Sequence, residues 1–387
     1  MVADAPPSPE LVLSTLRNVV DPELGADIVE LGMVGDIEVG SDGLVVIPVA
    51  LTIAGCPLRA QIRDDIRGRI AQLPGVGEVK VSFGEMTQAQ RSEVMQRARK
   101  RVSEAAPDTQ VPLTTRILAV ASGKGGVGKS SVTVNLAASL AARGHTVGVL
   151  DADIWGFSVP RMLGVSGRLA ASDDRRIQPQ EVAVGPGRIR VVSMGLLVDD
   201  EDTAIMWRGL MLAKALEEFL LKVAWGEMDY LLLDMPPGTG DIQMALARLL
   251  PRAQLLVVTT PAVAAQKVAI RVADMARRSY LSVLGVIENM SAFTCEHGTA
   301  YPLFGSGGGQ VLATELGVPL LGQVPLEPAV SAANDAGRPL AFTAPGSEAA
   351  VAFAGIVERL TTELVPPLDM AGCSARLVAA AEAALGP

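Results

Sequence analysis

The stretch that most constrains this 387-residue chain is a short apolar run, 117–121, leading into Gly123-Lys124-Gly125-Gly126-Val127-Gly128-Lys129-Ser130. It satisfies G-x-x-x-x-G-K-[ST], with a strand-like segment before it and a helical one, 132–142, after it. The glycines let backbone N–H groups curl around phosphate oxygens, and the following helix adds its positive end. In such a loop Lys129 reaches the β and γ phosphates and Ser130 offers its hydroxyl to Mg²⁺. Ser131 completes the phosphate-binding set, so the loop predicts an ATP site.

The pattern after the loop sets the fold class. Residues 117–121, 147–150, 230–233, 255–258, 283–287 and 320–324 are short, nearly continuous apolar runs. Runs of this kind suit strands buried on both faces of a parallel sheet. Helical stretches such as 132–142 and 263–277 lie between them, which predicts an α/β, doubly wound, mostly parallel sheet. The chain exceeds the roughly 250–300 residues that one core serves, so a second unit is expected. Residues 1–84 read as a small α+β domain. Ser8 caps a helix running to about residue 20, 33–39 and 44–53 form a hairpin, 57–73 form a helix, and 77–83 form a third strand. Residues 85–115 read as a basic helix and linker, 116–365 as the P-loop domain and 366–387 as a tail. The arginines and Lys100 between 91 and 101 suit a solvated helix or a docking surface.

Composition narrows the functions. A net charge of −9 disfavours general nucleic-acid binding, which needs Lys and Arg to neutralise phosphates. Three scattered cysteines, Cys56, Cys295 and Cys373, are not a disulfide framework. Neither a signal peptide nor an apolar run of about 18 residues is visible, so no membrane role and a cytoplasmic location are expected.

Acidic residues follow the loop where chemistry needs them. The second strand ends in Asp151-Ala152-Asp153, at the carboxyl end where ligands of such sheets bind. Asp153 is placed to orient or activate the attacking water, and Asp151 to bind Mg²⁺ through water; both also suit plain strand-end caps. Asp234 ends Leu231-Leu232-Leu233-Asp234, a Walker-B-like strand, and would hold the Mg²⁺ shell. The turn from Pro236 to Asp241 could sense the γ-phosphate. Lys124 can point away from its own nucleotide and, in a face-to-face dimer, reach the neighbour's phosphates.

Four segments together resemble a family. They are the lysine-bearing loop, Asp151-Ala152-Asp153-Ile154-Trp155-Gly156-Phe157-Ser158, Asp234-Met235-Pro236-Pro237-Gly238-Thr239-Gly240-Asp241, and Ile287-Glu288-Asn289-Met290-Ser291. The chain resembles the Mrp/ApbC-type iron–sulfur cluster carriers, within the deviant-Walker-A class that includes MinD and ParA. The front unit resembles a small iron–sulfur assembly domain, through Asp21-Pro22-Glu23-Leu24 and Thr52-Ile53-Ala54-Gly55-Cys56-Pro57. The resemblance implies a homodimer, slow ATP hydrolysis, and a bridging [4Fe–4S] cluster passed to apo iron–sulfur proteins alongside the assembly machinery. It makes Lys124 the signature lysine, Lys129 the phosphate lysine and Asp153 the hydrolytic aspartate, and it sets Asn289 on the adenine ring.

One departure stands out. Relatives carry Cys-x-x-Cys after the Glu-Asn-Met-Ser segment, whereas here the stretch reads Thr294-Cys295-Glu296-His297-Gly298. Three readings remain open: Cys295 and His297 of two subunits as a mixed ligand set, two Cys295 thiolates with an outside ligand, or a degenerate loop cysteine. Cys56, at the start of a helix, is a further thiolate candidate or a small buried hydrophobe. The run Gly305-Ser306-Gly307-Gly308-Gly309 lacks a lysine and reads as a flexible loop before a helix. The rival functions are a MinD/ParA-like positioning ATPase, an ATP-fuelled electron donor, and an adaptor that never holds the cluster.

Overall fold

A computed structural model describes residues 6–21, 26–51, 59–91, 93–94, 96–97, 107–153, 156–172, 176–197, 209–238, 241–279 and 281–367. The chain forms two compact units, Met1–Ala105 and Ala106–Pro387.

In the first unit, helix α1 (Pro9–Leu16) begins where Ser8 accepts a hydrogen bond from the Leu11 N–H at 3.2 Å, with Pro9 at its first position. It ends at Leu16 rather than near residue 20, because strand β1 (Val20–Asp21) turns to pair with β2 (Ala26–Asp27). Strands β3 (Glu38–Val39), β4 (Leu44–Leu51) and β5 (Glu78–Glu85) make a three-stranded sheet in that order. Only 38–39 of the expected 33–39 strand is continuous ladder, with an isolated bridge from Val34 to Val49. Pro48 explains the gap. Its carbonyl accepts from Gly35, but it has no N–H to return. Helix α2 (Arg59–Ile70) crosses between the parallel strands β4 and β5 and buries Ile62, Ile66 and Ile70, a four-residue repeat on one face.

The second unit opens with β6 (Arg116–Ser122), α3 (Lys129–Ala142), β7 (Thr146–Asp151), α4 (Val159–Met162) and the hairpin β8 (Gln180–Val184) and β9 (Gly187–Ser193). It continues with α5 (Gly209–Lys222), β10 (Tyr230–Asp234), α6 (Asp241–Leu249), β11 (Gln254–Thr259), α7 (Val263–Arg278) and β12 (Ser282–Asn289). Last come β13 (Phe293–Thr294), β14 (Ala300–Tyr301), α8 (Gly308–Leu316), β15 (Leu320–Val324), α9 (Pro328–Asp335), α10 (Leu340–Thr343) and α11 (Glu348–Arg359). Eight strands lie in the order β15-β12-β11-β6-β10-β7-β9-β8, and every neighbouring pair is parallel except β8 with β9.

All six expected strands are present. The β8–β9 hairpin was not expected, because Gln180, Glu181, Arg188 and Arg190 interrupt its apolar pattern, as suits strands at a sheet edge. Strand residues alternate between two cores. Ile117, Ala119 and Ala121 face one, with α5, α6 and α7; Leu118 and Val120 face the other, with α3 and α11. Among the described residues no helix is long and apolar enough to cross a membrane.

Candidate functional site

The loop between β6 and α3 needs two left-handed residues, and it has glycine at both: Gly126 at φ +81° and Gly128 at φ +79°. At Gly128 there is a second reason, since a Cβ would stand 2.3 Å from Nδ2 of Asn289. The helix starts at Lys129, not at residue 132, so the lysine's own amide belongs to the positive end. Val127 is buried, while Lys124, Gly125 and Gly126 are exposed. Gly123 is covered by the backbone at Val268 and Ala269.

Pairing of β10 with β6 and β7 sets Asp234 beside Val120 on one side and Asp151 on the other. The fully buried Asp234 is the hub of the site. Lys129 Nζ lies 2.7 Å from its Oδ1 and 3.9 Å from Asp153 Oδ2. Ser130 Oγ donates to Asp234 Oδ2 at 2.5 Å, and Thr133 Oγ1 donates to Oδ1 at 2.9 Å. Thr133 is a member that motif reading missed; its place one helical turn after Lys129 was the available signal. On the turn after β10, Gly238 N–H donates to the Ser122 carbonyl at 3.0 Å, and Gln243 Nε2 donates to the Gly238 carbonyl at 2.8 Å. Thr239, Gly240 and the Asp241 side chain, parts of the expected switch loop, lie outside the described residues.

Asp151 is buried and accepts from the Asp153 amide at 3.1 Å, the Ser158 amide at 3.2 Å, the Val159 amide at 3.3 Å and Ser193 Oγ at 3.2 Å. Burial, and then the Asp234 charge beside it, push its carboxyl up to about 8, against the pull of these donors. Its oxygens organise the 151–159 loop and tie it to β9. Asp153 stands on that loop. Burial raises its pKa, which Lys129 opposes and Asp234 assists.

On the other flank a cleft is lined by Gly128, Ser131, Met162, Asn289, Leu326 and Asn334, among others. Asn289 Nδ2 donates to the Val127 carbonyl at 2.9 Å, and Asn334 Nδ2 donates to Ser131 Oγ at 2.8 Å. Asn289 therefore joins the end of β12 to the phosphate loop, and it lines the cleft.

Cys295 sits in the turn of the β13–β14 hairpin, where its amide donates to the Thr299 carbonyl at 3.0 Å. The thiol pKa is lowered, first through the His297 backbone and then through the Thr299 backbone. His297 contributes to the thiol through its backbone, and its side chain is exposed. Among the described residues no group of three or more His, Cys, Asp or Glu could hold a metal ion within one chain. Cys56, Trp155 and Cys373 lie outside the described residues. The glycine run ends at the start of α8, where the Gly309 N–H already meets an anion, Glu288 Oε2 at 2.5 Å. That internal carboxylate explains a glycine loop without a lysine.

These features define a P-loop nucleotide-binding protein built on a MinD/ParA-type sheet. The family model described as "NUBPL iron-transfer P-loop NTPase" matches residues 114–361, and one described as "Iron-sulfur cluster assembly protein" matches residues 9–82. The chain belongs to the NUBPL-type iron-transfer P-loop NTPases, with an iron–sulfur assembly domain in front. It is 44% identical over 360 residues to the iron–sulfur cluster carrier protein of Mycobacterium tuberculosis, covering 91% of this chain and 92% of that one. It is 42% identical over 357 residues to the protein of the same name from Deinococcus radiodurans, covering 92% and 95%. Among solved structures it resembles a nucleotide-binding protein in complex with ADP from Archaeoglobus fulgidus, with a TM-score of 0.50, 35% identity, and coverage of 62% of this chain and 91% of that one. The septum site-determining protein MinD of Pyrococcus horikoshii shares the fold, at a TM-score of 0.50 and 23% identity, over 64% of this chain and 96% of that one.

Proposed function

We propose that this chain carries iron–sulfur clusters to apoproteins, binding ATP at the 123–131 loop and hydrolysing it slowly. The observation that supports this most is the convergence of Lys129, Ser130, Asp153 and Asp234 at one end of the sheet. Phosphates entering the loop compete with Asp234 for the Lys129 ammonium, and Asp234 and Ser130 would then hold a Mg²⁺ ion. Ser130 and Asp234 present oxygens 2.5 Å apart, hard donors that fit Mg²⁺. When bound there, the ion neutralises charge on the β and γ phosphates. Asp153, with its raised pKa, orients the attacking water and takes its proton. Asp151 holds the loop on which Asp153 stands. The purine fits the cleft beside Asn289. With Nδ2 committed to Val127, the Asn289 carbonyl oxygen is the group left to accept from the adenine amine.

Two copies of the chain complete the assembly. Lys124 is exposed and free to cross to the neighbour's phosphates. The Cys295 thiolates of both copies grip the cluster as cargo, and an outside ligand completes its coordination, which makes it easy to hand over. Anaerobic loading with iron and sulfide, followed by absorption spectra and transfer to an apoprotein, tests it. Wild type gains the cluster chromophore and Cys295→Ala loses it. If Cys295→Ala together with Cys56→Ala loads as well as wild type, carriage on the hairpin is wrong. Lipid and DNA cosedimentation with ATP then tests the positioning alternative.

A further inference from the structure

Glu288 is fully buried, and no step above uses it. Its two oxygens accept from the Gly309 N–H and from Gln323 Nε2, each at 2.5 Å. Neither of these partners is a cation, so among the described residues the hydrogen bonds that hold this buried carboxyl come from neutral groups. That is a costly choice for a position that packing could fill. The neighbouring residue, Asn289, makes the 2.9 Å bond to Val127 of the phosphate loop. Successive strand residues face opposite sides of a sheet. Val286 packs with α7 and α8, and Ile287 packs on the side of α3, so Glu288 and Asn289 reach through the two sides in turn.

The two bonds bracket the cysteine hairpin. The chain leaves Asn289 through Met290, a non-glycine residue at φ 59°, then runs through 293–301 and returns at Gly309 to Glu288. Gly309 packs so closely here that a Cβ would stand 2.6 Å from that of Glu288, so only glycine fits this contact. We infer that the Glu288–Asn289 pair couples nucleotide occupancy at the phosphate loop to the Cys295 hairpin, with Glu288 as the positioning residue. A shift of Val127 moves the end of β12, and Glu288 passes it to the start of α8 and so to the base of the hairpin. The inference rests on the reading that nucleotide occupies the 123–131 loop and needs no bound cluster.

The test reads the alkylation rate of Cys295 in the full chain, by peptide mass, with and without Mg²⁺ and a non-hydrolysable ATP analogue. Analogue affinity is measured separately by calorimetry. In wild type the analogue changes the rate at least about fivefold, the low end of coupling between sites. Glu288→Ala brings the ratio to near one while affinity stays within about threefold, and Glu288→Gln, which keeps an acceptor for Gly309, retains the response. A merely structural role would shift both rates together and leave their ratio intact. If Glu288→Ala melts too low to assay, Gly309→Ala displaces the same contact and removes the response. A wild-type rate that ignores a bound analogue, or a full response in Glu288→Ala or in the Gly309→Ala that replaces it, overturns the coupling. Absence of analogue binding in wild type overturns the nucleotide reading itself, and the coupling with it.

Discussion

The phosphate loop and the cysteine hairpin lie a few residues apart through Asn289, yet they are built on opposite principles. In the loop one buried carboxylate, Asp234, is satisfied by Lys129, Ser130 and Thr133, and strands on both sides fix its height. The hairpin has two-residue strands, an exposed tip and, among the described residues, a side-chain tether from Thr294 Oγ1 to Glu348 at 3.0 Å. A site that must hold one triphosphate in one geometry profits from redundancy. On the proposed reading the hairpin accepts a cargo and releases it, and such a site profits from few constraints.

The largest effect that would test this contrast is Lys129→Ala. It should abolish ATP binding and also leave Asp234 buried without its cation, costing about 3 kcal/mol or more in thermal melts, since breaking a buried pair costs roughly 3–5 kcal/mol. Unchanged stability would mean that the hub is less dependent on Lys129 than its geometry implies. Asp153→Ala should keep nucleotide affinity and lower turnover by about two to four orders of magnitude, the usual share of a general base. Equal loss of binding in calorimetry would remove its hydrolytic role.

A third change isolates burial. The Asp151 pKa is raised from 3.8 to about 8 in the folded chain. The native state then holds a proton that the unfolded state has already released, so stability falls as pH rises between those values and levels off above. Asp151→Asn should flatten that slope in melts from pH 5 to 8, and an unaltered slope would assign it to other groups. The smallest effect belongs to the hairpin. Thr294→Ala should change stability by no more than about 0.5–1 kcal/mol, as expected for an exposed hydrogen bond, while speeding alkylation of Cys295. A large melting shift would show that the hairpin is as tightly integrated as the loop.

Much of the loop was legible because its chemistry is local. Glycines at fixed spacing between a strand and a helix dictate an anion nest, and the acids at the ends of apolar strands had to meet there. The hairpin was less legible, since a single cysteine with a nearby histidine allows several ligand sets. The influence of the His297 backbone, which lowers the Cys295 thiol pKa, is likewise invisible in the residue types. The β8–β9 edge stayed hidden because edge strands carry charges that break the apolar run. Glu288 could have been noticed as an acid ending an apolar strand, but nothing local says what it meets.

Residue order alone determined which segment forms the glycine loop, which become buried strands, and that a small unit precedes the P-loop one. Those properties depend on neighbours within a few positions, through backbone conformation and apolar period. Tertiary structure decided that Asp151 organises a loop, that Thr133 and Ser193 support the acids, and that Glu288 and Asn289 face opposite ways to join two sites. Such roles arise from strand register and burial, which bring together residues far apart in the chain and change what a carboxylate costs there.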